Sequence, residues 1–195
     1  MTPPMTETSP GPAARHRAHA ATFTGLVDNT TDWGAPAPVA GWAARDVVDH
    51  LVTWLPGFLA GDGVVLPQGP SVDDDPVAAW HHHAEAVQAV LDDPAAAGRS
   101  FANPHVGELP LADAIDRFYT TDVFMHAWDL ARASGQPVAL DEHECAAMLE
   151  GMLPLDDLLR SSGQYGPRVP VPDDASAMDR LVGFIGRDPA WRPGR

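Results

Sequence analysis

The spacing of apolar residues most constrains the fold of this chain of 195 residues. Five segments show the helical period, with apolar side chains three and four residues apart, and clusters of Pro and Gly separate them. No stretch alternates with the period of two that is typical of a half-buried strand. The sequence therefore predicts an all-α protein, with a flexible tail over residues 1–12 and a single domain over residues 13–195.

The bounds of the helices follow from the same pattern and from its Pro and Gly breaks. Pro154 predicts a kink or break inside the fifth segment, and the residues between positions 94 and 110 are expected to form a polar loop. Gly135 and Pro137 form a stop signal after the fourth segment. We expect helices over residues 13–32, 43–60, 76–91, 111–134 and 141–161, and a short terminal helix over residues 175–186.

Charge and composition exclude several classes of partner. The 27 acidic residues outnumber the 12 basic ones and give a net charge of -15, which opposes binding to nucleic acid or to an anionic membrane. The most apolar run covers only residues 51–60, whereas a membrane span needs about 20 residues, and the first residues do not resemble a signal peptide. Cys145 is the single cysteine and cannot close an internal disulfide, so we expect a reducing cytoplasm. We also expect a monomer or homodimer with small-molecule partners.

The stretch YTTDVFMHAWDLA contains three ionisable side chains in an otherwise apolar helix. Asp122 and His126 lie one turn apart on one face, and an unpaired carboxylate or imidazole in a dry interior costs several kcal/mol. A metal ion would compensate them, because a carboxylate and an imidazole at this spacing can bind one ion. His50 is the best third ligand, since it lies on the apolar side of the second helix. Three protein ligands would leave one coordination position open.

A simpler interpretation of these residues stays open at this point. Asp122 and His126 can form an ordinary charge pair, with His50 a satisfied core histidine. Asp46, one turn before His50, is expected to orient that imidazole if a metal is bound. Asp129 either supports the site or pairs with Arg132, and the pairing is favoured.

The remaining histidines, tryptophans and the cysteine are assigned structural roles. Adjacent residues on a helix point about 100° apart, so His81, His82 and His83 cannot converge on an ion. The first two are expected to face solvent, and His83 to lie near the boundary of the core. We expect burial for Trp42, Trp54, Trp128 and Cys145, and exposure for His16, His19, His105 and His143.

Three pieces of the chain together resemble the DinB-like metal-binding family, which includes the N-terminal domain of mycothiol-dependent maleylpyruvate isomerase. They are VAGWAARDVVDHLV, TTDVFMHAWDLARASG and VPVPDDASAMDRLVGFIGRDPAW. The resemblance implies a four-helix bundle with an additional C-terminal helical segment and a short terminal helix. It also implies a divalent ion held by His50, Asp122 and His126. Zinc is the first expectation, and nickel, iron and manganese also suit such ligands.

The same resemblance suggests a function and shows three departures. Asp122 stands where the isomerase has Glu, and Val39 where the family tends to have Cys. Ala43 replaces a hydroxyl residue that would cap the second helix, a loss worth about 1 kcal/mol. The implied activity is that of a mycothiol-dependent transferase or isomerase in which the metal activates a thiol. The alternatives are a metal-dependent small-molecule binding or sensing protein without turnover, and a structural bundle.

Overall fold

A computed structural model describes residues 10–104 and 106–193, and most of them are helical. The all-α prediction is confirmed, with one small hairpin added. No helix among these residues has the length and apolarity to cross a bilayer. The elements are α1 Pro12–Asp28, α2 Ala44–Ala60, α3 Pro76–Asp92, α4 Pro94–Ala97, β1 Ser100–Asn103, β2 Gly107–Pro110, α5 Leu111–Ala114, a π segment Ile115–Thr120, α6 Thr121–Ser134, α7 Glu142–Met152, a 3₁₀ turn Leu153–Leu155, α8 Asp156–Ser161 and α9 Ala177–Phe184.

Helix α1 is shorter than the sequence predicts. It ends at Asp28, four residues before the expected end at Asp32. Asp32 forms a turn instead, in which its carboxylate accepts a hydrogen bond from the backbone N–H of Gly34. Asn, Thr and Asp bond to nearby backbone in this way, and they therefore make poor helix interiors. The predicted bounds of α2 and α3 agree with the structure within one residue.

The predicted loop between residues 94 and 110 is wrong. This region contains helix α4 and an antiparallel hairpin in which Ser100 faces Pro110 and Phe101 faces Leu109. Each strand has only four residues, and Phe101 is the one side chain of β1 that is fully buried. So short a strand with one buried residue shows no recognisable alternation. His105, which we expected to be exposed, lies outside the described residues.

The predicted fourth helix is continuous over its expected length but is not uniform. A six-residue π segment separates α5 from α6 and ends two residues before Asp122. Such segments are rare and often occur at functional sites. The stop signal is confirmed: Gly135 has a φ of 68°, and the N–H of Gln136 donates to the carbonyl of Ala131, as in a Schellman motif.

The C-terminal third follows the sequence prediction closely. The fifth segment breaks at Pro154, where the 3₁₀ turn separates α7 from α8. Helix α9 begins after Ser176, whose hydroxyl accepts a hydrogen bond from the N–H of Asp179. Its residues Leu181 and Val182 are buried.

The chain groups into two compact units. One unit holds the residues up to Asp28 together with Val48–Phe124, and the other holds Asn29–Val47 with the residues from Met125 onward. Helices α1 and α3 pack together in the first unit, and α7 packs against α9 in the second. Helices α2 and α6 each run from one unit into the other. The single domain and the four-helix arrangement stay predictions, and most of the predicted tail, residues 1–9, lies outside the described residues.

Two histidines that we placed at the surface or its boundary lie inside the first unit. His16 is fully buried, which corrects the expected exposure, and its Nδ1 lies 2.9 Å from Oε1 of Gln88. His83 is 6% exposed, so it belongs to the core rather than to its boundary. Phe23 and Trp80 are also fully buried in this unit, and their ring centroids lie 4.4 Å apart. The buried face of α1 begins at His16, in the second turn of the helix, and a position near the chain end does not imply exposure.

Candidate metal centre

The described residues contain one group of three His, Cys, Asp or Glu side chains that could hold a metal ion. It consists of His50, Asp122 and His126, the set that the sequence predicts. One donor atom from each lies within 4.8 Å of the other two. Asp122 and His126 are one turn apart on α6, and His50 comes from α2.

Helix α2 presents His50 beside its most buried stripe. Val47, Leu51 and Leu55 are fully buried, whereas the His50 side chain is 32% exposed. Asp46 does not orient His50 as predicted. Its carboxylate accepts a hydrogen bond of 2.7 Å from the backbone N–H of Ala43, at the start of the helix. This contact is half of a capping box, and it offsets part of the missing hydroxyl at position 43.

Asp122 accepts two hydrogen bonds on one carboxylate oxygen. Its Oδ2 lies 3.0 Å from Nε2 of His50 and 3.0 Å from Nε1 of Trp54, which donates its indole N–H. The Asp122 side chain is 17% exposed, so the expectation of a dry carboxylate is wrong. Trp54 is half-buried rather than in the core, and it orients the carboxylate. Its position four residues after His50 on one helix is the signal that sequence reasoning missed.

His126 is buried and is held from two sides. Its Nδ1 lies 2.9 Å from Oδ2 of Asp129, and the ring of Trp42 stacks on it at 5.8 Å with an angle of 18° between the planes. An ionised carboxylate only accepts hydrogen bonds, so Nδ1 carries a proton and Nε2 is the ring nitrogen left for a cation. Trp42 is half-buried, not a core residue. A carboxylate behind a histidine is the usual support for a metal ligand.

Asp129 is fully buried and pairs with Arg187, not with Arg132 as favoured from the sequence. Nη2 of Arg187 lies 3.0 Å from Oδ2 of Asp129, and Nε lies 3.3 Å from Oδ1. Burial raises the pKa of Asp129, but the hydrogen bond from His126 and the charge of Arg187 outweigh burial and hold the pKa below its usual value. Asp129 is therefore a carboxylate at neutral pH. Arg132 lies over the Trp128 ring instead, at 5.1 Å.

Tyr119 is the buried ionisable residue one turn before Asp122. Burial, and then the charge of Asp122, raise the pKa of its phenol. Its ring centroid lies 5.8 Å from that of Trp54 and 5.5 Å from that of His83. The hydroxyl has no hydrogen-bond partner among the described residues. Tyr119 therefore remains a neutral phenol beside the carboxylate.

The donor set suits a divalent cation. Two imidazole nitrogens and a carboxylate oxygen are ligands that zinc and other first-row metals accept. Tetrahedral sites with three protein ligands keep a fourth position for water or substrate. His50 and Asp122 are the partly exposed members of the group, and His126 is the buried one. Solvent therefore reaches part of the side chains of two of the three residues.

The other candidate side chains behave as structural residues. His81 and His82 point to different partners, Asp28 at 2.7 Å and the carbonyl of Pro67 at 3.2 Å, so the His run does not converge. Cys145 is fully buried, and burial, then nearby carboxylates, raise the pKa of its thiol to about 12. It is a packed thiol, as predicted. His143 is exposed, also as predicted, and His19 is half-buried.

Comparison with known proteins gives relatives but no activity. No family model and no solved structure matches the chain. Two proteins from two strains of Mycobacterium tuberculosis, named Uncharacterized protein MT0763 and Uncharacterized protein Rv0738, are each 29% identical to it over 181 residues. The match covers 90% of this chain and 97% of each relative. The resemblance to the DinB-like family stays a prediction.

Proposed function

We propose that this protein binds a divalent metal ion through His50, Asp122 and His126. One observation carries the proposal: donor atoms from three side chains of α2 and α6 lie within 4.8 Å of one another. Zinc is the first choice, and nickel, iron and manganese suit the same ligands.

The contacts around the three residues support this assignment. Trp54 donates to the Asp122 carboxylate, and Asp129 accepts from Nδ1 of His126. Such partners fix the orientation of a ligand and the tautomer of a histidine before an ion arrives. They support the ligand role of Asp122 and of Nε2 in His126.

Elemental analysis tests the metal. The protein should be purified without a histidine tag and dialysed against buffer with added zinc. We expect close to one metal ion per chain, and a large loss of metal in His126→Ala, while circular dichroism shows a retained helical fold. His143→Ala is the control, because His143 is exposed on α7. Wild-type protein that holds no metal would contradict the proposal.

X-ray absorption tests the ligands directly. A zinc-loaded sample should show nitrogen and oxygen neighbours at about 2.0 to 2.2 Å. Sulfur neighbours at about 2.3 Å would point to another site. Cys145 is the only cysteine in the described part of the chain, and burial keeps its thiol protonated.

We extend the proposal to thiol chemistry on the strength of the resemblance. A bound divalent ion lowers the pKa of a coordinated thiol and so supplies a nucleophile at neutral pH. The partly exposed His50 and Asp122 favour an open side on which a low-molecular-weight thiol such as mycothiol could enter. The single buried cysteine is compatible with a reducing cytoplasm.

An enzyme assay separates turnover from binding. Metal-loaded protein is incubated with mycothiol and an electrophile, beside metal-loaded His143→Ala and His50→Ala. Formation of a conjugate by wild type and by His143→Ala, but not by His50→Ala, supports a transferase or isomerase. Tight thiol binding without conjugate supports the alternative of a small-molecule binding or sensing protein. Absence of thiol binding by metal-loaded protein would contradict the proposed thiol chemistry.

A further inference from the structure

A chain of contacts connects Arg187, three residues after the end of α9, to the buried member of the proposed metal centre. Arg187 contacts Asp129, and Asp129 contacts His126. We infer that Arg187 is a positioning residue for His126, so that metal binding and the docking of α9 stabilise each other. The inference rests on the proposed metal centre.

Arg187 is held in place by hydrogen bonds to Asp129 and to backbone carbonyls at the end of α9. Its side chain is 12% exposed, and its Nε and Nη2 donate to both oxygens of the carboxylate. Nη1 donates to the carbonyl of Ile185 at 2.9 Å, and the backbone N–H donates to the carbonyl of Val182 at 3.0 Å. A planar guanidinium that donates hydrogen bonds to both oxygens fixes the plane of the carboxylate. That plane sets the direction of the His126 ring.

The turn that delivers Arg187 requires glycine. Gly186 has a φ of 91°, and a Cβ there would lie 3.0 Å from the backbone of Gly166. Gly183, one turn earlier, is closer still to its neighbour: a Cβ would lie 2.7 Å from the carbonyl oxygen of Val169. The end of α9 therefore packs directly against backbone. Displacement of the helix would move Arg187 with it.

Loss of Arg187 would leave Asp129 as a buried carboxylate with His126 as its remaining partner among the described residues. An uncompensated buried charge is strongly unfavourable, so the carboxylate would turn or draw in water. The imidazole ring of His126 would then lose its fixed orientation.

The coupling also acts from the metal toward α9. A cation at Nε2 of His126 makes Nδ1–H a stronger donor and tightens the contact to Asp129 and Arg187. Coupling between two binding equilibria is reciprocal.

The first arm of the test measures metal affinity by competition with a chromophoric chelator. Arg187→Gln should bind zinc about 10- to 100-fold more weakly than wild type, the usual loss when a supporting residue of a metal ligand is removed. The zinc affinity of Arg187→Lys should lie between those of wild type and Arg187→Gln, because lysine keeps the charge but not the bidentate contact. Arg180→Gln on α9 is the matched control, since Arg180 is exposed. Its affinity should equal that of wild type.

The second arm measures hydrogen exchange of the amides from Leu181 to Arg187. Zinc should slow their exchange in wild type and in Arg180→Gln, and should have little effect in Arg187→Gln. Wild-type zinc affinity in Arg187→Gln, or unchanged exchange in zinc-loaded wild type, would overturn the inference while the metal centre stands. Wild type that takes up no zinc would overturn both. If Arg187→Gln does not fold, Arg187→Lys and the exchange in wild type decide.

Discussion

The stability of the fold should fall as the pH is lowered, and His83 should account for a measurable part of the loss. This imidazole is 6% exposed, packs on Tyr119, and its Nε2 has no hydrogen-bond partner among the described residues. Burial, followed by the nearby His16 and His82, lowers the pKa of His83 from 6.5 to about 4. The buried histidine is therefore neutral.

The direction of the pH effect on stability follows from the pKa of His83 in the unfolded and in the folded chain. Between pH 6.5 and about 4, the unfolded chain binds a proton at His83 that the folded chain excludes. The stabilising contribution is therefore complete above 6.5 and is lost as the pH falls through this window. A pKa difference of one corresponds to about 1.36 kcal/mol, so the fall of the His83 pKa from 6.5 to about 4 corresponds to about 3 kcal/mol. Burial lowers the pKa of His16 as well, so it adds a loss of the same sign.

The assay is urea unfolding of metal-free protein at about pH 7 and about pH 4.5. His83→Leu keeps an apolar side chain of similar volume and removes the titrating group. The free energy of unfolding of wild type should fall by about 2 to 3 kcal/mol more than that of the variant between the two pH values. His143→Leu, at an exposed helical position, is the control and should follow wild type. Equal losses in wild type and His83→Leu would refute the reasoning.

Four further perturbations test separate parts of the structure. Asp129→Asn should lower the free energy of unfolding of metal-free protein by about 3 kcal/mol in urea, because a buried ion pair loses one charge; a change below about 1 kcal/mol would contradict the buried pair. Trp54→Phe should weaken zinc binding about tenfold in calorimetry, because Asp122 loses an indole donor; unchanged affinity would show that the contact does not matter. Gly186→Ala should lower the melting temperature more than Gly163→Ala, since both glycines have positive φ but only the first faces close backbone; equal shifts would contradict the close approach. Chelation of zinc should lower the melting temperature and leave helical circular dichroism at 25 °C intact; unfolding on chelation would disprove a preformed site.

The helices follow from the sequence because apolar spacing, Pro and Gly act locally. The hairpin does not, since its strands have four residues each and one deeply buried side chain between them. The π segment before Asp122 leaves no recognisable signal either, because the apolar pattern of residues 111–134 fits a continuous α-helix. Its last two residues, Tyr119 and Thr120, are both fully buried.

The candidate site also has features that the sequence predicts and features that it does not. The three proposed ligands could be found because two share a helix face and the third lies on the apolar side of another helix. The partners of Asp46 and Asp129 could not. Asp46 had two local options, a ring nitrogen or the free N–H at the helix start, and spacing does not choose between them. Asp129 pairs with Arg187, 58 residues away, instead of an arginine one turn along its own helix.

The structure also changes the reason for proposing a metal. From the sequence alone, buried Asp122 and His126 require an ion to offset the cost of their desolvation. In the fold, Asp122 accepts from His50 and Trp54, and His126 donates to Asp129. Protein partners already offset part of that cost, so we expect folding not to require an ion as it does in a zinc finger. The proposal therefore rests on the convergence of three donors, and an ion that binds Nε2 of His50 must displace the His50–Asp122 hydrogen bond.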